Sequence, residues 1–271
     1  MRRLTFHKGH ATRNDFVIID DSHGMLDLAP ADVARICDRH SGIGADGVLR
    51  VVRAQHEPEW RGDADLWFMD YRNADGSIAE MCGNGLRLFA LYLLTEQLVP
   101  GGAFTVGTRA GAKRVRLDRA GMVSVDLGPA QVHDSDVEIA LGPQRWSARK
   151  VDVGNPHAVV FVQGQEIADL NLCEPPVWEP HSAFPEGVNV EFCAVLGPGI
   201  IDMRVHERGV GETQSCGTGV VAAAAAYARD SGWSDPVEVH VPGGKLEVTF
   251  EPDASWLLGP AVLTAHGEYW G

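Results

Sequence analysis

The same short motif, a cysteine followed by Gly-x-Gly, occurs twice in this chain, each time just before an apolar segment of helical length. The first copy is Cys82-Gly83-Asn84-Gly85 and the second is Cys216-Gly217-Thr218-Gly219. Each copy follows an asparagine at the start of a predicted strand, Asn14 in one half and Asn155 in the other, by 68 and 61 residues. Two halves with the same ordered landmarks predict an internal duplication, and therefore two α/β domains with pseudo-twofold symmetry.

Hydrophobic periodicity places strands and helices around these motifs. In the first half it predicts strands at Asn14–Asp20, Val48–Val52 and Leu66–Tyr71, two or three more within Phe104–Leu127, and helices at Pro30–His40 and Leu86–Gln97. In the second half it predicts strands at Ala158–Val162, after Gly187, and at Ile200–His206, Val237–Val241 and Leu246–Phe250, with a helix at Val220–Asp230. Leu86–Gln97 is apolar nearly all round and Val220–Asp230 is rich in alanine, so we expect two buried central helices.

A glycine and proline break at Gly128-Pro129 predicts the domain boundary. We expect the first domain to span residues 1–128 and the second to span residues 129–260. A final predicted strand at Ala261–Ala265 would return residues 261–271 to the first domain.

The balance of charged residues excludes several classes of function. The chain has 37 Asp and Glu against 23 Lys and Arg, and its net charge of −14 disfavours nucleic acid and anionic membrane surfaces as partners. No segment reaches the roughly 18 apolar residues of a membrane span, and the N-terminus, Met1-Arg2-Arg3, is not followed by the apolar stretch of a secretory signal. Five cysteines without a CxxC motif are typical of a reduced cytoplasm. Because HExxH and HxH are absent, we expect no metal site.

A cysteine just before a helix lies where unpaired backbone N–H groups converge and where the helix dipole favours anions. Both effects lower the pKa of a thiol, and the glycines let a substrate carboxylate approach the same N–H groups. One such cysteine is more often a small buried apolar residue, but two in matching places favour chemistry. Two thiols that exchange the roles of base and acid would invert a stereocentre, one removing the α-proton and the other returning a proton to the opposite face.

Other readings of these motifs are weaker. Two facing cysteines could form a redox pair, although such pairs usually occur as CxxC on one turn. The segment Gly42-Ile43-Gly44-Ala45-Asp46-Gly47 matches GxGxxG, but it follows a predicted helix and precedes a strand, which reverses the dinucleotide-binding order. Gly211–Gly219 contains no lysine and is not a phosphate loop. Cys37, Cys173 and Cys193 lack the Gly-x-Gly context, and we expect them to be inert.

Six segments carry a family resemblance that covers essentially the whole chain. They are Asn14-Asp15-Phe16-Val17, Arg39-His40-Ser41-Gly42-Ile43-Gly44, Asn73-Ala74-Asp75-Gly76-Ser77, Cys82-Gly83-Asn84-Gly85, Gly154-Asn155-Pro156-His157 and the long block from Glu207 to Gly219. The chain resembles the diaminopimelate epimerase family, which are amino-acid epimerases independent of pyridoxal phosphate. The resemblance implies an α+β fold of two domains, each with a curved mixed or antiparallel sheet around a central buried helix, and an active site in the cleft between them.

The resemblance also implies roles for individual residues. Cys82 and Cys216 would be the acid/base pair, with His157 and Glu207 near the thiols and helping to set their protonation. The implied substrate-binding residues are Asn14, Asn73, Gly83, Asn84, Asn155, Asn189, Glu207, Arg208, Gly217 and Thr218. Arg208 would pair with a carboxylate at the far end of the substrate, which a planar guanidinium grips with two N–H groups.

The reaction implied by the resemblance is the epimerisation of LL-2,6-diaminopimelate to the meso isomer in lysine and peptidoglycan precursor biosynthesis, without a cofactor. An epimerase of another amino acid, a thiol redox protein and a non-catalytic binding protein are the alternatives. The resemblance also implies a homodimer. Two departures stand out: Gly47 occupies a position where many relatives carry glutamine, so we assign it no ligand role, and residues 10–13 lack the glycines that many relatives place before Asn14.

Overall fold

The structure is a computed structural model that describes residues 3–117, 121–164 and 166–271. The N-terminal residues Met1 and Arg2, and residues 118–120 of the predicted strand segment Phe104–Leu127, lie outside this range. The strands are β1 (Arg3–Ala11), β2 (Asn14–Asp20), β3 (Gly47–Arg53), β4 (Trp67–Asn73), β5 (Ala103–Thr108), β6 (Gly111–Leu117), β7 (Met122–Asp126), β8 (Gln131–Leu141), β9 (Gln144–Asp152), β10 (Pro156–Phe161), β11 (Val177–Glu179), β12 (Asn189–Gly197), β13 (Ile200–Glu207), β14 (Gly211–Thr213), β15 (Val237–Val241), β16 (Gly244–Glu251), β17 (Ala254–Pro260) and β18 (Val262–Trp270). The helices are α1 (Pro30–Cys37), α2 (Gly83–Thr95), α3 (Glu166–Asp169) and α4 (Gly217–Ser231).

The chain divides into two compact units. One unit comprises the described residues up to Val125 together with Gly259–Gly271, and the other comprises Asp126–Leu258. The first unit contains α2 and the second contains α4, so each unit holds one of the two helices that begin at a Cys-Gly-x-Gly motif.

The sheet of the first unit combines parallel and antiparallel neighbours. β18 pairs with β1 and β1 with β2, both antiparallel. β2 is parallel to β3, β3 is antiparallel to β4, and β4 is parallel to β5. β5, β6 and β7 then continue as antiparallel neighbours. Helix α2 packs against β1, β2, β3 and β4, and its residues from Gly83 to Ala90 are all buried.

The second unit repeats the same pattern of pairings. β8, β9 and β10 are antiparallel neighbours, β10 is parallel to β12, and β12 is antiparallel to β13. β13 is parallel to β15, and β15, β16 and β17 are antiparallel neighbours. Helix α4 packs against β8, β9, β10 and β12, and its alanines Ala222–Ala226 are buried. The internal duplication and the two buried central helices are therefore confirmed.

The helix boundaries differ from the predicted ones for local reasons. Helix α1 ends at Cys37 and not at His40, because the Asp38 carboxylate accepts the N–H groups of His40 and Ser41 and so competes with the helical hydrogen bonds. Helix α2 begins at Gly83, three residues before the predicted start, because Cys82 is already its N-cap. Helix α4 likewise begins at Gly217, inside its motif.

Several strands have no counterpart among the predicted elements. They include β1, the β8–β9 hairpin and β17. In β1 and β9 partly exposed and exposed residues predominate, so their sequences lack the run of apolar residues that marks a buried strand. The last strand, β18, is longer than the predicted Ala261–Ala265 segment and pairs with β1. Within the described part of the chain, no helix is long and apolar enough to cross a membrane.

Candidate active site

Cys82 lies at the N-terminus of the buried helix α2 and acts as its N-cap, with an extended backbone at φ −140° and ψ 124°. Its Sγ accepts the N–H of Gly85 at 3.4 Å. The thiol also lies 3.6 Å from Asn14 Oδ1, to which it donates. A sulfur in this position faces the free N–H groups of the first helical turn, which favour negative charge.

The Asn14 side chain joins Cys82 to a wider set of polar contacts. Asn84 Nδ2 donates to Asn14 Oδ1 at 3.2 Å, and Asn14 Nδ2 donates to Asp46 Oδ2 at 2.8 Å. Arg39 in turn donates to the other oxygen of Asp46 at 2.7 Å. Because Asp46 accepts the amide N–H, the carbonyl oxygen of Asn14 is fixed toward Cys82.

Two other residues singled out in this half lie next to each other on β3 and β4. Gly47 and Asn73 face each other in the strand register. Asn73 Nδ2 donates to Ser77 Oγ at 3.0 Å, inside its own turn. A Cβ at Gly47 would stand 2.5 Å from the carbonyl oxygen of Arg72 and 2.8 Å from the ring of Tyr71. This backbone therefore has no room for the glutamine that many relatives carry there, which explains the glycine.

Cys216 is the N-cap of helix α4, as Cys82 is of α2, but it is more deeply buried, with 7% of its surface exposed. Its Sγ lies 3.6 Å from Thr218 Oγ1. Burial raises the pKa of the Cys216 thiol well above its usual range, and the negative charges of Glu207 and Glu191 raise it further. The Gly219 amide and the Thr218 hydroxyl oppose these effects and lower the pKa of Cys216.

His157 is fully buried at the start of β10 and is held from both sides of its ring. Its Nδ1 lies 2.7 Å from Glu191 Oε1, and its Nε2 lies 3.0 Å from Asn155 Oδ1. Glu191 is also fully buried, and burial raises its pKa while the charge of His157 opposes that shift. Two oxygen acceptors around one ring are both satisfied when the imidazole carries two N–H groups, with Glu191 balancing the charge.

Asn189 and the Glu207-Arg208 pair form a third group in the second unit. Asn189 Oδ1 accepts the backbone N–H of Arg208 at 2.9 Å, and Asn189 lies opposite His157 in the strand register. The Glu207 carboxylate accepts the hydroxyl of Thr213. The Arg208 side chain is exposed, and its Nη1 donates to the carbonyl of Glu186 at 3.2 Å. Within the described residues Arg208 has no carboxylate partner, which leaves its guanidinium open to an anion.

The last glycine of each motif packs tightly against its own surroundings. A Cβ at Gly85 would stand 3.3 Å from a methyl group of Leu49 and 3.5 Å from Cβ of Cys82. A Cβ at Gly219 would stand 2.6 Å from Glu191 Oε1 and 3.3 Å from Cβ of Cys216. Close packing at the helix start therefore requires a glycine at position 219, whereas a Cβ at position 85 would be in close but tolerable contact.

The sequence matches one known protein family along most of its length. The family model described as diaminopimelate epimerase matches residues 6–133 and 149–264. The chain is 50% identical to the diaminopimelate epimerase of Streptomyces coelicolor, in an alignment covering 98% of this chain and 96% of that protein. It is 49% identical to the diaminopimelate epimerase of Thermobifida fusca, with coverages of 98% and 97%. The chain belongs to the diaminopimelate epimerase family.

Solved structures of distant proteins share the fold of this family member. A PhzF-family phenazine biosynthesis protein from Bacillus anthracis superposes with a TM-score of 0.72 at 15% identity, covering 99% of both chains. A hydroxyproline epimerase from Agrobacterium vitis superposes with a TM-score of 0.67 at 14% identity, covering 99% of this chain and 92% of the other. At such low identity these similarities concern the fold alone.

The sequence reasoning missed three charged residues that contact the predicted site residues of this family member. Asp46 accepts the Asn14 amide, Glu191 pairs with His157, and Arg87 donates to Asn84 Oδ1 at 3.0 Å. Two of them could have been predicted to be buried and functional, because Arg87 and Glu191 are isolated charged residues inside otherwise apolar segments. Over the ranges that the structure describes, no group of three or more His, Cys, Asp and Glu side chains is arranged to hold a metal ion.

Proposed function

We propose that this protein epimerises LL-2,6-diaminopimelate to the meso isomer by a two-base mechanism that uses Cys82 and Cys216 and no cofactor. The observation that carries the proposal is the pair of cysteines outside any disulfide, each the N-cap of a buried helix in units with the same strand pairings. Membership of the diaminopimelate epimerase family supports the choice of substrate. The product would serve lysine and peptidoglycan precursor biosynthesis.

In the proposed reaction one thiolate removes the α-proton and the second thiol returns a proton to the opposite face of the same carbon. The C–H electron pair remains on the substrate as a carbanion conjugated with the α-carboxylate, and it forms the new C–H bond with the thiol proton. The first cysteine ends as a thiol and the second as a thiolate, so charge is conserved. Backbone N–H groups at Gly83-Asn84 and Gly217-Thr218 would bind the carboxylate as its negative charge grows.

The remaining site residues would bind and orient the two ends of diaminopimelate. The exposed guanidinium of Arg208, with no carboxylate partner in the described part of the chain, suits the second carboxylate. The side chains of Asn14, Asn73, Asn155 and Asn189 would bind the amino-acid groups, with Glu207 and His157 beside the thiols. A substrate without the second amino-acid group would leave these polar groups unpaired and would be rejected.

The compartment and the assembly of the enzyme belong to the same proposal. None of the five cysteines is in a disulfide, and acid/base catalysis requires the thiols of Cys82 and Cys216 to stay reduced, which suits the cytoplasm. The family resemblance supports a homodimer. Trp270 on β18 is 64% exposed, and a large exposed apolar side chain is typical of a surface that a partner covers. Light scattering coupled to size-exclusion chromatography measures the assembly, and a mass of one chain would contradict the homodimer.

The test is hydrogen exchange at the α-carbon in deuterated water. Purified enzyme treated with a metal chelator, and given no pyridoxal phosphate, should incorporate deuterium into LL-diaminopimelate and convert it to the meso isomer, as followed by mass spectrometry and chiral chromatography. Lysine, glutamate and proline form the comparison panel, and we expect no incorporation into them. Exchange into a panel member but not into diaminopimelate would overturn the substrate, and a requirement for added cofactor would overturn the mechanism.

A further inference from the structure

A positive charge is completely buried one and a half turns into the helix that starts at Cys82. Arg87 has no exposed surface. Its Nη2 donates to Thr12 Oγ1 and to Asn84 Oδ1, each at 3.0 Å, while its Nε and Nη1 have no hydrogen-bond partner in the described residues. No carboxylate of that part of the chain forms an ion pair with it. A buried cation without an anion is strongly destabilising, so the fold retains Arg87 for some other reason.

The titratable group that acts on Arg87 is Cys82, whose thiol becomes an anion when it ionises. Burial lowers the pKa of Arg87 to about 10, and the charge of Cys82 opposes this by raising it. The interaction is mutual, because a thiolate that stabilises the guanidinium is stabilised by it to the same extent. Arg87 also binds the Asn84 carbonyl, so the Asn84 amide is turned to donate to Asn14 next to the sulfur.

A negative charge is buried in the corresponding place behind Cys216. Glu191 lies on β12 with no exposed surface, and its Oε2 has no hydrogen-bond partner among the residues the structure describes. Its Oε1 binds His157 and reaches to 2.6 Å from the position that a Cβ at Gly219 would occupy. Glu191 therefore touches the first turn of α4, and its charge raises the pKa of Cys216.

We propose that Arg87 and Glu191 are positioning residues that make the two thiols unequal, Arg87 favouring the thiolate at Cys82 and Glu191 favouring the neutral thiol at Cys216. Under the proposed function, on which this assignment of roles rests, Cys82 is the base of the resting enzyme and Cys216 is the acid. Each turnover leaves the charges exchanged. The same two buried charges then favour return of the proton from Cys82 to Cys216 through solvent.

The other charged groups around each sulfur do not cancel this difference. On the Cys82 side Asn14 Oδ1 accepts a hydrogen bond from the neutral thiol, and the carboxylate of Asp46 behind Asn14 is paired with Arg39. On the Cys216 side Glu207, at the end of β13, adds a second negative charge that acts in the same direction as Glu191. His157, on β10, contacts Glu191, and its positive charge when protonated lowers the pKa of Glu191 without reversing the effect of burial.

The experiment measures the ionisation of each thiol without substrate, so its outcome is independent of the epimerase assay. The protein is alkylated with iodoacetamide between pH 5 and pH 11, and the rate at each cysteine is determined by peptide mass mapping. The exposed Cys173 is the reference within each sample. Rates depend on accessibility, but the pH midpoint of each rate reports the thiolate fraction. In the wild type we expect the Cys82 midpoint below that of Cys173 and the Cys216 midpoint above it.

Variants then assign the difference to the two buried charges. Arg87→Met should raise the Cys82 midpoint by about 1 pH unit or more. Arg87→Lys keeps the positive charge, so its Cys82 midpoint should stay close to that of the wild type. Glu191→Gln should lower the Cys216 midpoint by about 1 pH unit and leave Cys82 unchanged. The Cys173 midpoint should stay constant in all of them, because a general loosening of the fold would not move the two site cysteines in opposite directions.

The outcomes decide the proposal even where a variant is unstable. If Arg87→Met does not fold, Arg87→Gln and Arg87→Lys take its place. A Cys82 midpoint that is the same in charged and neutral variants would overturn the role of Arg87. A Cys216 midpoint that is unmoved in Glu191→Gln, or a Cys216 that is unreactive in both proteins, would overturn the role of Glu191. A wild type in which Cys216 ionises at lower pH than Cys82 would overturn both.

Discussion

The starts of helices α2 and α4 are built alike but charged differently. Each has a cysteine N-cap and a glycine packed against that cysteine, and each unit has a central pair of parallel strands, β2 with β3 and β10 with β12. Behind Cys82 lies the buried cation Arg87, whereas Cys216 faces the carboxylates of Glu191 and Glu207. The duplication therefore preserved the backbone that positions a thiol and changed the charges around it. A reaction that needs one thiolate and one thiol is served by this difference, whereas two identical sites would share the same protonation state.

The largest effect should follow from removing either thiol. We expect Cys82→Ala and Cys216→Ala each to reduce kcat/KM for diaminopimelate by about 10³-fold or more, because an acid or a base positioned at the reacting carbon contributes rate factors of this order. The measurement is the rate of conversion of LL-diaminopimelate to the meso isomer by chiral chromatography, with circular dichroism to confirm that each variant is folded.

Cys173→Ala is the matched control for these variants, because Cys173 is exposed and lacks the Gly-x-Gly context. It should retain wild-type activity. A Cys82→Ala or Cys216→Ala variant with activity near that of the wild type would show that a single thiol suffices and would end the two-base scheme.

Sequence reasoning predicted the part of this comparison that depends on local patterns. The two copies of the motif located both helix starts to within three residues, because each copy directly precedes an apolar segment of helical length. The missed features depend on tertiary contacts: Arg87 reaches Thr12, and Glu191 reaches His157, across long separations in sequence. An isolated charge in an apolar segment indicates that a buried partner exists, but the partner becomes known only from the packing. The β8–β9 hairpin was missed because its exposed face interrupts the apolar pattern.

The second largest effect should come from adding a methyl group at the last glycine of each motif. Gly219→Ala should lower the free energy of unfolding by about 2–3 kcal/mol, because its Cβ would collide with Glu191 Oε1, which the bond to His157 holds in place. Gly85→Ala should change it by less than about 1 kcal/mol, because the nearest atom is a methyl group of Leu49 at 3.3 Å and alanine is the better helix former.

Urea denaturation of the two variants beside the wild type measures this difference. The double variant Gly219→Ala with Glu191→Gln tests the cause, since the collision persists with an isosteric side chain and the destabilisation should remain. Equal losses in Gly85→Ala and Gly219→Ala would contradict the conclusion that the second helix start is the more tightly packed of the two.

The smallest predicted effect is the pH dependence of stability, in which one carboxylate of each unit should act in the opposite direction to the other. Although burial raises it, the pKa of Asp15 is held down at about 2 by hydrogen bonds from Arg39 and Lys8. In the unfolded chain the pKa of an aspartate is about 3.9. A folded-state pKa below this adds to the free energy of unfolding at pH values above about 3.9, and this added stability is lost as the pH falls through the folded-state pKa. For Glu191 the folded-state pKa is raised by burial, so its contribution to the free energy of unfolding is largest at low pH and is lost as the pH rises through that pKa.

Asp15→Asn should therefore lower the free energy of unfolding by about 2 kcal/mol at pH 7, and the difference from the wild type should shrink between pH 4 and pH 2. Urea denaturation at pH 7, 5, 4 and 3 provides the values. The matched control is Asp253→Asn, on an exposed turn, which should leave the stability unchanged at every pH. A deficit for Asp15→Asn that is the same at pH 7 and pH 3 would mean that lost packing, and not the ionised carboxylate, makes Asp15 important to the first unit.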